Sequence, residues 1–324
     1  MAQLPERPSS WGGLSAILDT RAKQATVICV LLLVMAVVPF VTNDYITVIV
    51  THALLYVVLA LGLNIVVGYA GLLDLGFAAF FAVGAYTVGI TTQYFGLNFW
   101  LALPLAVFFA SIAGVIIGTP TLRLRSDYLA IVTLGFGEIV RLTARNLRET
   151  GGASGIRGIE SPWIFGYHVQ SNIDFYFVFL ILAIIGVIVS VRLANSRLGR
   201  AWLYVRHDED AAEAMGIDRV KVKLAAYVVG AIYGAIGGAF FAANLGAISP
   251  ESFSFRQSVE ILMVVILGGI GKIPGVILGA FIVILTPELL REVGDLRYFI
   301  FAIGLLLIML FRPSGIWPAA RGKK

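Results

Sequence analysis

Charged and reactive side chains are scarce in this chain of 324 residues. Only 13% of its residues are charged, and it holds one cysteine and three histidines. The lone cysteine, Cys29, excludes a disulfide within the chain, and it lies in an apolar stretch where a thiol acts as a small apolar side chain. His52, His168 and His207 are widely separated in sequence, which gives no metal cluster. These shortages argue against redox chemistry and against a metal centre.

Nucleotide-binding motifs are missing as well. The stretch that ends in Gly271-Lys272 superficially resembles a phosphate-binding loop, but Ile266 replaces the first glycine and Ile273 replaces the Ser or Thr. Gly135-Phe136-Gly137 lacks the third glycine of a dinucleotide fingerprint. No cluster of catalytic residues is found. The sequence therefore predicts no cofactor, no catalytic group and no ATPase site on this chain.

Apolar residues are abundant and come in long blocks. They make up 59% of the chain, and several blocks reach the roughly 20 residues that cross a bilayer as a helix. These segments must cross the bilayer as helices, because lipid offers no hydrogen-bond partner to an unpaired backbone group. The net charge of +5 indicates a basic cytoplasmic face rather than binding to nucleic acid. Apolar segments are marked at about 25–42, 45–67, 72–92, 98–118, 127–144, 173–192, 222–244, 257–271, 273–289 and 297–311.

The basic residues predict the orientation of these segments. If every segment crosses and the N-terminus is cytoplasmic, 17 of the 24 Lys and Arg lie inside and six outside, as the positive-inside rule requires. We therefore predict an all-α, polytopic membrane protein with about ten transmembrane helices, some short or broken, and both termini cytoplasmic. Segments 8 and 9 are short, so they either cross fully or form a re-entrant hairpin. The predicted parts are a tail at 1–24, one transmembrane domain at 25–311 with an inward loop at 193–223, and a tail at 312–324.

Small residues recur at every fourth position in three segments. In lipid, close backbone approach across small residues supplies the packing between helices. Tight helix packing is the favoured interpretation, and subunit pairing or a moving interface is the alternative. The three sets are Ala226, Gly230, Gly234, Gly238 and Ala242; Gly271, Gly275 and Gly279; and Ala110, Gly114 and Gly118.

A glycine-rich stretch near segment 3 predicts a broken helix. Its glycines surround Asp74 and suit a helix whose exposed backbone ends line a solute path. Asp74 is either a solvated residue at a helix start, which is favoured because of the helix dipole, or a pathway group. The candidate path residues are Asn64, Gly68, Gly71, Asp74 and Gly76 here, with Gly268, Gly269 and Gly271 near segment 9.

Glu138 is a further candidate for the path. Arg141 follows it at the third position on the same helical face, so a structural ion pair is favoured over a gate or a lining charge. Glu260, at the start of segment 8, is open to the same two interpretations.

The inward loop contains a short amphipathic pattern. Asp208, Glu209, Asp210 and Glu213 surround a small apolar face, and Gly216 ends the pattern. Such a helix can seat in a groove on a motor protein, or it can be an ordinary surface helix, and the pattern alone does not separate the two. The apolar face consists of Ala211, Ala212, Met215 and Ile217.

Several runs together resemble the permeases of branched-chain amino acid ABC importers. The run from Gly68 to Phe77 with Gly84-Ala85-Tyr86 resembles the family signature, and Leu267 to Gly271 resembles its later glycine segment. The run from Tyr128 to Arg141, with Thr150-Gly151-Gly152 and Gly155-Ile156, is closer to the LivM member than to its partner LivH. The loop from Gly199 to Ile217 is similar to the family's ATPase-coupling loop.

This resemblance implies an assembly in the bacterial inner membrane. The partners would be a LivH-type permease, two cytoplasmic ATPases of the LivG and LivF type, and an extracytoplasmic solute-binding protein, with lipid around the permeases. ATP and Mg would be bound by the ATPases. Residues 208–217 would be the coupling helix, and 145–172 would be part of the landing surface for the binding protein.

The sequence is also compatible with other solutes and with two other classes of function. The solute could be a branched-chain amino acid, and it could also be urea, a short amide or another neutral amino acid. An ion-coupled secondary transporter would need buried ionisable groups, for which Asp74, Glu138 and Glu260 are the candidates. A membrane-embedded enzyme would need a cluster of catalytic residues.

Overall fold

The structure is a computed structural model, and it describes most of the chain. The predicted tail at 1–24 and Cys29 lie outside the described residues, as do most of the tail at 312–324 and the first part of the segment at 25–42. Residues 34–41 of that segment are helical, and so are the described positions of the segment at 297–311. The described residues are 34–121, 126–164, 166–291, 294, 296, 299–300, 302–303, 306, 310 and 315–317.

The chain is built mainly from helices. The short strands β1 (Ile156–Arg157), β2 (Trp163–Ile164), β3 (Tyr167–His168) and β4 (Ala247–Ile248) are two residues long each. The helices are α1 (Asp44–Leu63), α2 (Ala78–Phe95), α3 (Phe99–Thr121), α4 (Ser126–Asn146), α5 (Asn172–Ala194), α6 (Arg197–His207), α7 (Glu209–Ala214), α8 (Arg219–Leu245), α9 (Phe255–Gly268) and α10 (Ile273–Leu289).

Among the described residues, four helical stretches are both long and apolar enough to cross a membrane: Asp44–Tyr69, Phe99–Pro120, Asn172–Ala194 and Arg219–Leu245. They confirm the prediction of an all-α, polytopic membrane protein. The number of crossings and the side on which each terminus lies stay predictions.

The chain divides into two compact units, Met1–Thr47 and Val48–Lys324, with the division inside α1. In the first unit, the Thr42 hydroxyl donates to the Val38 carbonyl at 2.7 Å. The helices from α2 onward and all the sites described below belong to the second unit. The single transmembrane domain at 25–311 stays a prediction.

Helix α8 lies at the centre of the second unit, where it packs against α2 and α3 and, at Gly230 and Tyr233, against Gly62 of α1. Helices α3 and α5 are peripheral and leave large apolar side chains exposed, including Phe108, Ile116 and Ile181. Water would make such exposure costly, whereas lipid tails are as apolar as these side chains. We therefore assign the outer faces of α3 and α5 to lipid.

The small-residue stripes pack helices together, as the favoured interpretation predicted. A Cβ added to Gly238 of α8 would lie 2.1 Å from the carbonyl oxygen of Phe81 in α2. One added to Gly84 of α2 would lie 2.2 Å from the carbonyl oxygen of Ala235. In the other two sets, a Cβ on Gly114 would lie 3.3 Å from the Cβ of Ala231 and one on Gly279 would lie 2.4 Å from the carbonyl oxygen of Val264. Backbones therefore approach too closely for any side chain at several of these positions.

Helices α9 and α10 form a tight hairpin. With 14 and 17 residues they are about 21 and 26 Å long at 1.5 Å per residue, which is less than the roughly 30 Å of hydrocarbon. The turn between them uses positive φ angles at Gly269 (114°) and Gly271 (83°), which glycine adopts without strain. A Cβ on Gly268 would lie 2.2 Å from the carbonyl oxygen of Gly275, so the two helices meet immediately beside the turn.

The predicted outward loop at 145–172 is tied down by short strand pairings. Strand β1 pairs with β4, which follows the end of α8, and β2 pairs with β3. The φ of Gly155 is +70°, and a Cβ added there would lie 1.8 Å from the Ile248 carbonyl oxygen, so only glycine fits at this position. The indole of Trp100 donates to the Trp163 carbonyl at 2.6 Å. The loop is therefore an ordered surface at one end of the helices.

Candidate functional site

Two short helices, α6 and α7, form the loop between α5 and α8. The Ser196 side chain accepts from the Gly199 N–H at 3.1 Å and begins α6. The Asp208 carboxylate accepts from the N–H groups of Asp210 and Ala211 at 3.0 Å and begins α7. Polar side chains at this position satisfy the N–H groups that the first helical turn leaves unpaired. Gly216 follows α7 at φ +83°, so the chain turns where the pattern predicted.

The apolar face predicted for α7 is divided between two sides. Ala212 is buried within the chain with 2% exposure, whereas Met215 is 74% exposed. Ala211 is exposed and Ile217 is half-buried. The six residues of α7 make fewer than two turns, and α7 contacts both α6 and α8. Ala212 is therefore a packing residue, and Met215 is the apolar side chain that α7 presents outward.

Ion pairs fasten α7 to the first turns of α8. The Lys223 ammonium lies 2.6 Å from a carboxylate oxygen of Glu209, and the Lys223 side chain is only 5% exposed. Arg219 lies 3.3 Å from Glu213 and 3.6 Å from Asp210. A buried ammonium needs its partner because burial of an uncompensated charge is very costly. These ion pairs therefore hold α7 against the first turns of α8.

Helix α6 contacts the break that follows α1. Residues Asn64–Tyr69 form a buried π-helix that continues α1. A guanidinium nitrogen of Arg206 in α6 donates to the Gly68 carbonyl. A Cβ on Gly71, whose φ is +72°, would lie 2.8 Å from Cγ of Arg206. Arg206 therefore joins the inward loop to the glycine-rich stretch.

The break that follows α1 lies against the glycine turn between α9 and α10. The Asn64 side-chain oxygen accepts from the Gly271 N–H at 2.8 Å. A Cβ on Gly68 would lie 2.7 Å from the nitrogen of Gly271. The structure thus brings Asn64 and Gly68 against Gly271 in the turn between α9 and α10, and Gly71 lies against Arg206 beside them. Sequence patterns marked both glycine stretches as candidates for the path but did not predict that they touch.

The stretch between the π-helix and α2 runs through the interior of the unit. The predicted segment starts at 72, but residues 70–77 are not helical and α2 begins at Ala78. The N–H of Ala78 donates to the Ser258 hydroxyl of α9 at 2.9 Å. A Cβ on Gly76 would lie 1.9 Å from the Thr133 carbonyl oxygen of α4. The helix is broken as predicted, and the break is packed between α4 and α9.

Asp74 is buried, so the favoured interpretation of a solvated residue is wrong. Its side chain is 1% exposed, because this part of the broken stretch is packed between α4 and α9. One carboxylate oxygen accepts from the Gly76 N–H at 2.7 Å, close to the start of α2. The other oxygen has no hydrogen-bond partner among the described residues, and neither has the hydroxyl of Tyr227. The alternative role as a pathway group stays a prediction.

Glu138 takes part in a structural ion pair, as the favoured interpretation predicted. Nε of Arg141 lies 3.0 Å from each carboxylate oxygen of Glu138. Arg141 also donates to Glu251 at 3.0 Å, and Arg145 lies 3.7 Å from the same carboxylate. Glu251 belongs to the turn Pro250–Phe253. The network ties the end of α4 to the segment that leads into α9.

A polar cluster that sequence reasoning did not assemble lies between α1 and α9. The hydroxyl of Tyr56 donates to Glu260 at 2.7 Å, and Gln257 donates to that hydroxyl at 2.8 Å. Arg256 donates to Glu260 at 2.8 Å. Arg256, Gln257 and Glu260 share one helical face, a spacing visible in the sequence. Their partner Tyr56 is about 200 residues away, and no local pattern identifies it.

Comparisons with known proteins identify the family of this chain. The profile of a family described as the permease component of branched-chain amino acid transport systems matches residues 45–311. The LivM permease proteins of Escherichia coli and Salmonella typhimurium are each 39% identical, over 95% of this chain and 78% of their own length. A probable LivM of Methanocaldococcus jannaschii is 29% identical over 82% of this chain and 90% of its own length.

The LivH permease of Escherichia coli is a more distant relative, 30% identical over 42% of this chain and 44% of its own length. No solved structure matches the chain. The resemblance that the motifs indicated therefore extends over almost the whole sequence and favours LivM over LivH. The chain belongs to the family of branched-chain amino acid transport permeases, as a LivM-type member.

Proposed function

We propose that this chain is a membrane-spanning permease subunit of an ATP-driven importer of branched-chain amino acids in the bacterial inner membrane. The observation that carries the proposal is the 39% identity to LivM permeases over 95% of the chain. The other members of the importer would be a LivH-type permease, two ATPases and an extracytoplasmic binding protein. The ATPases would bind ATP and Mg, so this chain would have no ATPase site of its own.

The geometry of the inward loop supports a coupling role for this chain. An ATPase seated on α6 and α7 would meet the exposed side chains of Leu203, Tyr204 and Met215. Movement of α7 would reach α8 through the Lys223–Glu209 pair, and movement of α6 would reach the break at Gly68 through Arg206. Because α8 packs directly on α1, α2 and α3, a shift of α8 would reorient the helices between which a solute would pass.

Reconstitution of the complete complex tests the proposed function. Proteoliposomes with the two permeases, ATPases inside and binding protein outside should accumulate labelled leucine only when ATP is enclosed. A complex with inactive ATPases is the control. Accumulation driven by an ion gradient without the ATPases would instead favour a secondary transporter. Uptake of urea or a short amide in preference to leucine would contradict the assigned solute.

The exposed position of Met215 predicts a docking defect that leaves the fold intact. We expect Met215→Asp to weaken ATPase association by about tenfold or more, because it places a charge in the apolar centre of the contact. Leu147→Asp is the matched control, since Leu147 is also exposed but follows α4 beyond its predicted outer end. Co-purification of the ATPases with each membrane-inserted variant measures the effect. Equal recovery of ATPase from both variants would contradict the assigned docking face.

A further inference from the structure

The two glycine stretches that hold the candidate path residues meet without space between them. A Cβ added to Gly68 would lie 2.7 Å from the nitrogen of Gly271 and 2.9 Å from its Cα. The side-chain oxygen of Asn64 accepts from the Gly271 N–H at 2.8 Å. Backbones in van der Waals contact leave no room for a solute. In the predicted orientation this contact lies toward the cytoplasm, so the candidate path is closed at its inner end.

The break that follows α1 frees a backbone carbonyl, and Arg206 takes it up. In a continuous α-helix the Leu72 N–H would donate to the Gly68 carbonyl, but it donates to the Val66 carbonyl at 3.0 Å. A guanidinium nitrogen of Arg206 donates to the Gly68 carbonyl instead. Gly68 is buried, and a buried carbonyl needs a partner. Arg206 therefore replaces the hydrogen bond that the break removes.

The turn after α9 frees the last two carbonyls of that helix. In a continuous helix the N–H groups of Gly271 and Lys272 would donate to them. The Gly271 N–H donates to the Asn64 side chain instead, and the Lys272 N–H donates to the Gly269 carbonyl at 3.1 Å. The contact between the turn and the break thus uses a donor that α9 would otherwise need for itself.

The C-terminal segment Gly315–Trp317 takes up both of these carbonyls. The Ile316 N–H donates to the Leu267 carbonyl at 2.9 Å, and the Trp317 N–H donates to the Gly268 carbonyl at 3.4 Å. Backbone groups at the end of a helix need such partners when the helix does not continue. Residues almost 50 positions further along the chain therefore complete the end of α9.

The C-terminal segment also contacts the turn and α10. Gly315 is buried at φ +83°, and a Cβ there would lie 2.5 Å from the Gly269 Cα. The Lys272 ammonium donates to the Trp317 carbonyl at 2.8 Å. A Cβ added to Gly275 of α10 would lie 3.1 Å from the Cβ of Trp317. The segment therefore fixes the turn from the side of both helices of the hairpin.

We propose that these contacts form an inner latch, which keeps the candidate path closed toward the cytoplasm until the ATPases move α6. The inner latch consists of the Arg206 guanidinium and the segment Gly315–Trp317. Together they hold the α9–α10 turn against the break that follows α1. This inference rests on the proposed function and adds to it the element that closes the path.

Arg206 is suited to be the movable part of the inner latch. It lies in the last turn of α6, on the loop that an ATPase would contact. The residue as a whole is exposed, so a released guanidinium enters water and leaves no buried charge behind. The Gly68 carbonyl would stay buried without a donor, which favours the return of Arg206. The inner latch therefore opens and closes reversibly.

The opposite ends of the helices are open in this structure. A cavity of about 920 Å³ lies among the first half of α1, the end of α8, the first part of α9 and the last part of α10. In the predicted orientation these portions lie toward the outside. With the outer ends apart, closure depends on the inner contact. A weakened inner latch should therefore let solute leak through the permease without ATP.

The test measures efflux from proteoliposomes that contain the complete complex and enclosed labelled leucine, without ATP. We expect Arg206→Met to speed leucine efflux by about tenfold or more, because it removes a charged hydrogen-bond donor. Co-enclosed sucrose should be retained, which excludes damage to the vesicles. Arg206→Lys keeps a charged donor and should leak less. Arg197→Met is the matched control, since it is the same change at an exposed position of α6.

A pair of deletions tests the C-terminal segment independently. Deletion of residues 315–324 removes it and should also speed leucine efflux. Deletion of residues 318–324 removes the same basic residues but keeps the segment, and it should leave efflux unchanged. If Arg206→Met and the longer deletion lower only the midpoint of thermal unfolding and release leucine at the wild-type rate, the contacts merely stabilise the fold and the inner latch is overturned. Absence of ATP-driven uptake by the wild-type complex would instead contradict the proposed function.

Discussion

Gly238→Ala is expected to prevent correct assembly of the helices around α8. The added Cβ would lie 2.1 Å from the Phe81 carbonyl oxygen and 2.9 Å from the Ala85 nitrogen, both backbone atoms of α2. Neither atom can move unless the two helices separate. Because small residues supply the close approach that holds helices together in lipid, separation removes packing along the whole α2–α8 contact. We expect little folded permease after solubilisation in detergent.

Gly135→Ala is the matched control for this experiment. Gly135 lies in α4, and a Cβ there meets nothing within 4 Å. The same substitution should be neutral or should stabilise the helix by up to about 1 kcal/mol, since alanine is the better helix former. Yield of monodisperse protein and the midpoint of thermal unfolding measure both variants. Similar midpoints for the two would contradict the close packing of α8 on α2.

Glu209→Gln is expected to be far more damaging than Lys223→Met. The first change leaves the Lys223 ammonium, 5% exposed, without its carboxylate, whereas the second leaves Glu209, which is 45% exposed and can be solvated. Breaking a buried pair costs about 3–5 kcal/mol, and the exposure of Glu209 places the expected cost near the lower limit. We therefore expect a lower unfolding midpoint and less leucine transported per ATP hydrolysed.

The double variant Glu209→Gln/Lys223→Met provides the decisive comparison. It removes the buried charge as well as its partner, so most of the lost stability should return. The ratio of transport to hydrolysis should stay low, because α7 is no longer fastened to α8 by this pair. If Lys223→Met destabilises as much as Glu209→Gln, the buried ammonium is not the origin of the effect. Full recovery of transport in the double variant would show that the pair has no part in coupling.

Much of the helical architecture could be predicted because length and apolarity reveal a membrane helix directly. The predicted segments at 98–118, 127–144 and 173–192 agree with α3, α4 and α5 to within a few residues. The start of α2 was misplaced because residues 72–77 are as apolar as a helix. An apolar sequence indicates that a segment is buried, but it does not distinguish a buried helix from a buried stretch that is not helical.

The site was predictable in its parts but not in its connections. Local spacing identified the Glu138–Arg141 pair and the short helix after Asp208, since both depend on neighbours along the chain. The contact of Arg206 with Gly68 and that of Tyr56 with Glu260 join residues 138 and 204 positions apart. The side of α7 that is buried could not be predicted either, because it depends on the positions of the helices that pack against α7.

The hydrogen bond from the Ala78 N–H to the Ser258 hydroxyl has a mechanical consequence. The first turn of a helix leaves N–H groups that need an acceptor, and here a neighbouring helix supplies one of them. If α9 moved away, that N–H would lose its acceptor in buried surroundings where no water replaces it. Any rearrangement that separates the beginnings of α2 and α9 therefore costs about 1–3 kcal/mol for the N–H that loses its acceptor.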